Sequence, residues 1–261
     1  MKTNLSIVVS SCDAFKDCWE PFIYSIKRYW ADCHYHIYIL SNFDEIDTPH
    51  GISFIKVGED KMFASNLKVV LKRIDSDYII YLQDDYWLNK KVDNNRITSH
   101  INYCVNNQID YMRLTFPFQS GKNVNGIYRQ HVLSQRYAIC LQAAIWNRNT
   151  LSSLLRDGDS GWDFEYKIQK YAIQSHIRVK ALGIKREFAD GGFNYVRGTG
   201  VRKGRWTIEG YKFLVDHGFN SILKEREREG WFFGNIVDKQ GPFRPLFLVI
   251  AKIMMEFKWN F

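Results

Sequence analysis

The sequence predicts an α/β protein, a mainly parallel sheet flanked by helices, on three observations. Four short β-branched or aromatic runs fall within residues 5–82. Stretches with helical spacing of their apolar residues separate them. The chain has 261 residues, 46% of them hydrophobic, enough to fill the core of one large domain.

The strands are "LSIVVS" (5–10), "HIYILS" (36–41), "ISFIKV" (52–57) and "YIIYL" (78–82), each bounded by polar or Gly-containing turns. Between the first two, "AFKDCWEPFIYSIKRYW" repeats Phe15, Trp19, Phe22, Ile23, Ile26 and Trp30 at helical spacing, and Pro21 suits a first turn. That is an amphipathic crossover helix. "SNLKVVLKRI" (65–74) predicts a second helix, with Ser65 as its N-cap, feeding into the fourth strand. Beyond it come a helix near 93–106, a strand at 110–115, a loop, the segment "YAICLQAAIW" (137–146), and helices near 149–156 and 162–175. The window 177–206 carries eight Lys/Arg against two acidic residues and reads as a mobile basic loop. The tail "FRPLFLVIAKIMMEFKWNF" is a core helix or an interfacial one; in the latter case Arg244, Lys252 and Lys258 reach toward anionic headgroups.

The five cysteines form no C-x-x-C pair, so neither a disulfide framework nor a zinc site is expected. The N-terminal apolar run is too short for a signal peptide, and no internal run is long enough to span a bilayer, which predicts a cytoplasmic protein. A net charge of +8 with 16% aromatic residues suits binding of anions and of flat apolar groups or sugar faces.

The chemistry begins at "YIIYLQDDYW" (78–87). A strand of a parallel sheet delivers its last residues to the edge where open α/β sheets bind ligands, so Asp84 and Asp85 are expected at a crevice. Adjacent carboxylates repel each other, and Mg²⁺ or Mn²⁺ shared with a phosphate offsets the repulsion. The competing reading is a solvated turn in which one Asp caps the next helix.

The order "LSIVVSSCDAF", a helix, "HIYILSN", then "FASNLKVVLKRIDSDYIIYLQDDYWL" resembles the nucleotide-sugar half of a GT-A-type, family-2-like glycosyltransferase of bacterial surface-glycan type. The resemblance implies a GT-A-like fold: a Rossmann-like nucleotide-binding half (1–90), an acceptor-binding and catalytic half (91–206) and a C-terminal helical extension (207–261). It implies that Ser10, Ser11 and Asp13 lie near the nucleobase and ribose, and Asn66 and Lys68 near the base or diphosphate. Asp84 and Asp85 take the D-x-D position as metal ligands. Gln83 stands where the usual pattern has its first Asp; it brings a hydrogen bond without charge, which makes Asp85 the better ligand.

In "SGWDFEYKIQKY" the resemblance implies a catalytic base at a helix start, Asp163 first and Glu165 second. A carboxylate there stays charged beside free amides and the helix dipole. The alternative is that Ser160 or Asp163 is an N-cap and Glu165 a capping-box partner. Arg197, Arg202, Lys203 and Arg205 in "YVRGTGVRKGRW" resemble a basic loop that closes over the diphosphate. Trp87, Trp146 and Trp162 are candidates to stack on sugars. His131, His176 and His217 carry no assigned role.

The expected reaction is transfer of a sugar from a nucleotide-diphosphate donor, a UDP-sugar first, to a hydroxyl of a glycan or lipid-linked acceptor, with inversion. A divalent cation is the expected cofactor, and residues 244–261 are a candidate contact to the inner face of the plasma membrane. Two other classes stay open. A nucleotidyltransferase is disfavoured because no glycine follows the first strand. A nucleic-acid-binding protein is disfavoured because no recognised motif is present.

Overall fold

A computed structural model describes residues 4–115, 121–131, 133, 138–185, 193–195 and 199–230. The chain divides into two compact units, Met1–Tyr195 and Val196–Phe261.

In the first unit the order is β1 (Leu5–Ser10), a 3-10 turn (Asp13–Cys18), α1 (Trp19–Tyr29), β2 (His36–Ser41), β3 (Ile52–Lys56), α2 (Met62–Arg73), β4 (Tyr78–Gln83) and α3 (Asn94–Asn106). There follow β5 (Tyr111–Arg113), β6 (Lys122–Val124), β7 (Tyr128–Gln130), β8 (Ala144–Asn147), α4 (Arg148–Leu154), α5 (Gly161–Gln174) and β9 (Ala181–Ile184). The strands form one sheet in the order β3-β2-β1-β4-β8-β5-β9-β7-β6. β3, β2, β1 and β4 are mutually parallel. β8 runs against β4 and β5, β9 runs with β5, and β7 runs against β9 and β6. The sheet is therefore mixed but mainly parallel, and the four early strands lie where the apolar runs place them.

Those strands read as continuous apolar runs because both faces of the sheet are covered. Ile7, Val8 and Val9 of β1 and Ile79 to Leu82 of β4 are all buried. Ile79 and Tyr81 share a core with Leu67 and Val70 of α2 and Phe164 and Ile168 of α5. Tyr78 faces the other way, where its hydroxyl donates to the Cys104 carbonyl of α3 at 3.3 Å.

Two helix boundaries differ from expectation. The run from Phe15 to Trp30 is split, because Phe15 leaves helical geometry (φ −114, ψ 18) and the α-helix starts only at Trp19, with Pro21 in its first turn as predicted. α2 starts at Met62, not after Ser65. Ser65 is not its cap: its hydroxyl accepts the Gly158 amide at 3.0 Å and ties the helix to the α4–α5 connection. The cap of α3 is Asp93, which accepts the amides of Asn95 and Arg96 at 2.9 and 3.3 Å.

The reading of 177–206 as one mobile loop is corrected. β9 lies inside the window, buried at all four residues and paired with both β5 and β7. Its four residues "ALGI" are flanked by cations, so a charge count over thirty positions hides them. At the end of the window, in the second unit, β10 (Val201–Arg202) and β11 (Arg205–Trp206) pair as a hairpin. Positive φ at both turn residues, Lys203 (51°) and Gly204 (77°), matches the twist of a two-residue hairpin. α6 (Ile208–Asp216) follows, capped by Thr207, whose hydroxyl accepts the Gly210 amide at 2.9 Å. Trp206 is fully buried and donates its indole N–H to the Leu223 carbonyl at 3.2 Å. Arg197 and the tail 244–261 lie outside the described residues. Among the described residues no helix is long and apolar enough to cross a membrane.

Candidate active site at the carboxyl edge of the sheet

β1 and β4 are parallel neighbours with Ser10 opposite Gln83, so the residues following both strands emerge together at one edge. The Asp84 amide donates to the Ser10 carbonyl at 3.3 Å, extending that pairing by one residue. Asp84 is buried. Its carboxylate accepts the Ser11 hydroxyl, and Ser11 Oγ accepts the Trp19 indole N–H at 2.7 Å. On its other side the Asp84 carbonyl accepts the Trp87 indole N–H at 3.0 Å. Burial, then the neighbouring charge of Asp85, push the Asp84 carboxyl well above the usual range, with the Ser11 hydrogen bond opposing them.

A buried carboxyl destabilised in its charged form by a second carboxylate fits a divalent cation, which would relieve both effects. Among the described residues no group of three or more His, Cys, Asp or Glu is placed to hold a metal. Asp84 and Asp85 are the residues that would hold such a cation, which would supply positive charge beside a phosphate.

Asp13 clamps the loop after β2. Its carboxylate accepts the amides of Asn42, Phe43 and Asp44 at 2.8, 2.9 and 3.2 Å, and Asn42 in turn donates to the Gly58 carbonyl at 2.9 Å. Asn66 is buried; it donates to Asp60 at 2.8 Å and accepts the Lys61 amide at 3.1 Å. The same Asp60 oxygen accepts the amide of Met62, which is held in a left-handed conformation (φ 71) at the start of α2. The Cys12 thiol, pushed up mainly by burial, also feels Asp84, Asp60 and Asp13, so the ends of β1 and β4 and the turn into α2 converge. Lys68 pairs with Asp157 at 2.8 Å and holds α2 to the α4–α5 connection.

The start of α5 separates the two candidate bases. Ser160 and Asp163 form a reciprocal capping box. The Asp163 carboxylate takes the Ser160 hydroxyl at 2.6 Å and amide at 3.2 Å, and Lys167 sits 2.9 Å from its other oxygen. These bonds, Ser160 first, bring its carboxyl down to about 2. The capping reading describes Asp163; the partner in the box is Asp163, not Glu165. Glu165 instead accepts the Leu141 amide at 2.5 Å. Burial raises its carboxyl, opposed by that amide and by the charge of Arg113. The hydroxyls of Tyr81 and Tyr86 feel both Glu165 and Asp85, so the two carboxylates flank one polar region.

Sequence reasoning missed the wall of this region. Arg113, at the end of β5, is buried and donates from Nη2 to Gln142 Oε1 at 3.2 Å, and Thr115 donates to the same oxygen at 3.1 Å. His131 is buried against Gly183 of β9, where a Cβ would overlap its ring. The available signal was an arginine inside the apolar strand "DYMRLT". Two of the three tryptophans named for sugar stacking are corrected: Trp87 and Trp146 are fully buried, while Trp162 is 78% exposed on α5. In the second unit Arg202 lies 3.4 Å from Glu229 and Arg205 lies 3.2 Å from Glu227.

No family model and no curated protein matches the chain. Among solved structures it is similar to S. aureus TarS, with a TM-score of 0.50 at 10% identity over 84% of this chain and 40% of that one. The TarS 1-349 fragment in complex with UDP gives a TM-score of 0.50 at 10% identity, over 97% of this chain and 88% of that one. A cytidylyltransferase from Leptospira borgpetersenii gives 0.47 at 11% identity, over 98% and 95%. The chain thus spans about 40% of the length of that TarS chain. Likeness at this identity is likeness of fold, and the fold of this chain is GT-A-like α/β.

Proposed function

We propose that this chain is a glycosyltransferase that moves a sugar from a nucleotide-diphosphate sugar, a UDP-sugar first, to a hydroxyl of a glycan or lipid-linked acceptor with inversion. One observation carries the reading: the buried Asp84 with its neighbour Asp85, after β4, flanks the same polar region as the half-buried Glu165 of α5. In this reading Ser10, Ser11 and Gln83 border the nucleoside, and Asp84 and Asp85 are the residues that would hold a divalent cation beside the donor diphosphate. Mn²⁺ or Mg²⁺ would supply charge to the departing diphosphate. Asp13 and Asn66 shape the nucleoside side of the site by fixing the loops after β2 and before α2.

Glu165 is the base. A carboxyl raised by burial accepts a proton more readily than one held near 2 by hydrogen bonds from Ser160 and Lys167, so Glu165 displaces Asp163 from that role. A single displacement by the deprotonated acceptor hydroxyl inverts the anomeric carbon. Trp162, exposed three positions before Glu165 on α5, offers a face to the acceptor sugar. The tail 244–261 is assigned to a contact with the membrane that carries a lipid-linked acceptor.

The test is a thermal-shift screen of nucleotide diphosphates and nucleotide sugars with and without Mn²⁺, followed by product analysis with the sugar that stabilises most. The reading expects stabilisation by one nucleoside diphosphate and its sugar, strengthened by Mn²⁺. Incubation with nucleoside triphosphates and sugar 1-phosphates separates it from nucleotidyl transfer. Release of pyrophosphate and appearance of a nucleotide sugar there would overturn it.

A further inference from the structure

The segment before β8 joins residues from two other elements, β5 and α5. The Cys140 amide and carbonyl both meet the Tyr111 hydroxyl of β5 at 3.3 Å. The next amide, of Leu141, is bound by Glu165 of α5. The next side chain, Gln142, receives both Arg113 and Thr115. Three consecutive residues thus connect the guanidinium at the end of β5 to the carboxylate of α5. β5 and β8 are paired with Arg113 opposite Ala144, so this connection is built on sheet register and not on a free loop.

We propose that Arg113 is a positioning residue of this site, holding Glu165 as an ionised, backbone-anchored carboxylate through the 140–142 segment. The inference rests on the reading of Glu165 as the base. Tyr81 of β4, Tyr86 after β4, Cys140 before β8 and Arg113 of β5 are the titratable or charged groups that act on or feel Glu165. Arg113 alone among them is a cation. The others are neutral in their ordinary state or pushed further toward it by burial, so they give no charge to hold the carboxylate ionised. Burial favours the protonated form of a carboxyl, and a protonated carboxyl cannot receive a proton from a hydroxyl. Arg113 opposes that effect of burial.

Two readouts on the full chain test the proposal. In the first, the Glu165 carboxyl is titrated by carbon-detected NMR, its resonance identified by its loss in Glu165→Gln. In Arg113→Gln the titration midpoint should rise by about one pH unit or more, the usual effect of losing an adjacent opposite charge, while Arg113→Lys should leave it near the wild-type value. If Arg113→Gln does not fold, Arg113→Met removes the same charge without burying an unsatisfied amide and carries the same expectation. In the second, the acid limb of the kcat/KM profile should move to higher pH with the midpoint in the neutral variants. A uniform loss of rate at every pH, with an unmoved carboxyl midpoint, would show that Arg113 is only structural and overturn the proposal. A midpoint that rises without the limb following would leave Arg113 controlling Glu165 and remove Glu165 as the base, so the two readings fail separately.

Discussion

The indole N–H of Trp19 donates to Ser11 Oγ at 2.7 Å, and the hydroxyl is thereby turned to the buried carboxylate of Asp84. Trp19 is itself fully buried at the start of α1, so the donor to Asp84 is fixed by the packing of a core helix.

That relay leaves Asp84 in an environment that opposes its charge, and stability should depend on pH accordingly. Its folded carboxyl titrates above the unfolded value of 3.8, so the favourable neutral form is fully present below that value and is lost as pH rises through the folded value. Asp84→Asn keeps an acceptor for Ser11 and removes the charge. The variant is expected to melt at a higher temperature than wild type without ligand at about pH 7.5, with the difference shrinking toward about pH 4.5. Melting curves at the two pH values check it; a variant less stable than wild type at the higher pH would contradict the burial argument.

Asp85→Asn should act on ligand binding. Ligand at about 100 times its dissociation constant stabilises a native protein by roughly 2.7 kcal/mol. Wild type is expected to show such a shift with UDP and Mn²⁺, and Asp85→Asn or a chelator should remove the metal-dependent part. Calorimetric titration of UDP with and without Mn²⁺ is the measurement.

Glu165→Gln should lower turnover by about 10²- to 10⁴-fold with donor binding retained, the usual contribution of a positioned base. Asp163→Asn should lose less than tenfold in turnover and lose some stability, because it weakens the capping box and the pair with Lys167. Its carboxyl is held near 2, so the stability it gives is present above the unfolded value and is lost as pH falls toward 2. Single-turnover rates for the two variants decide between them: the larger loss in Asp163→Asn would restore Asp163 as the base.

Gly183→Ala should destabilise the fold by about 1–3 kcal/mol through overpacking against the buried His131 ring. His131→Ala made in the same chain should recover part of that loss. Denaturant titrations of the two single variants and the double variant give the coupling; additive effects would show that the ring moves aside freely.

The parallel half of the fold was legible because its strands are buried on both faces and read as unbroken apolar runs. The Asp84–Asp85 turn was legible for the same reason, since it ends the longest-range pairing in that half, β1 with β4. β9 was not, because four apolar residues between cations carry too little pattern to outweigh their neighbours. The difference in burial between Asp163 and Glu165 was available from periodicity. Phe164, Ile168, Tyr171 and Ala172 make the buried stripe of α5, and at about 100° per residue Glu165 borders it while Asp163 lies farther round. Arg113, Gln142 and Leu141 were beyond local pattern, since only strand pairing brings them beside Glu165.

The place of β8 between β4 and β5 bears on how the chain is made. β5 leaves the ribosome before β8, yet β4 has no neighbour on that side until Ala144–Asn147 arrives. Until then Tyr78–Gln83, apolar along almost its whole length, stands as an open edge able to pair with another chain. Fragments ending before Ala144 should therefore aggregate on expression, whereas fragments that include β8 close that edge against Asn147, Trp146, Ile145 and Ala144. Cells making this protein would have most need of a holdase chaperone during the synthesis of the 60 residues between those two strands.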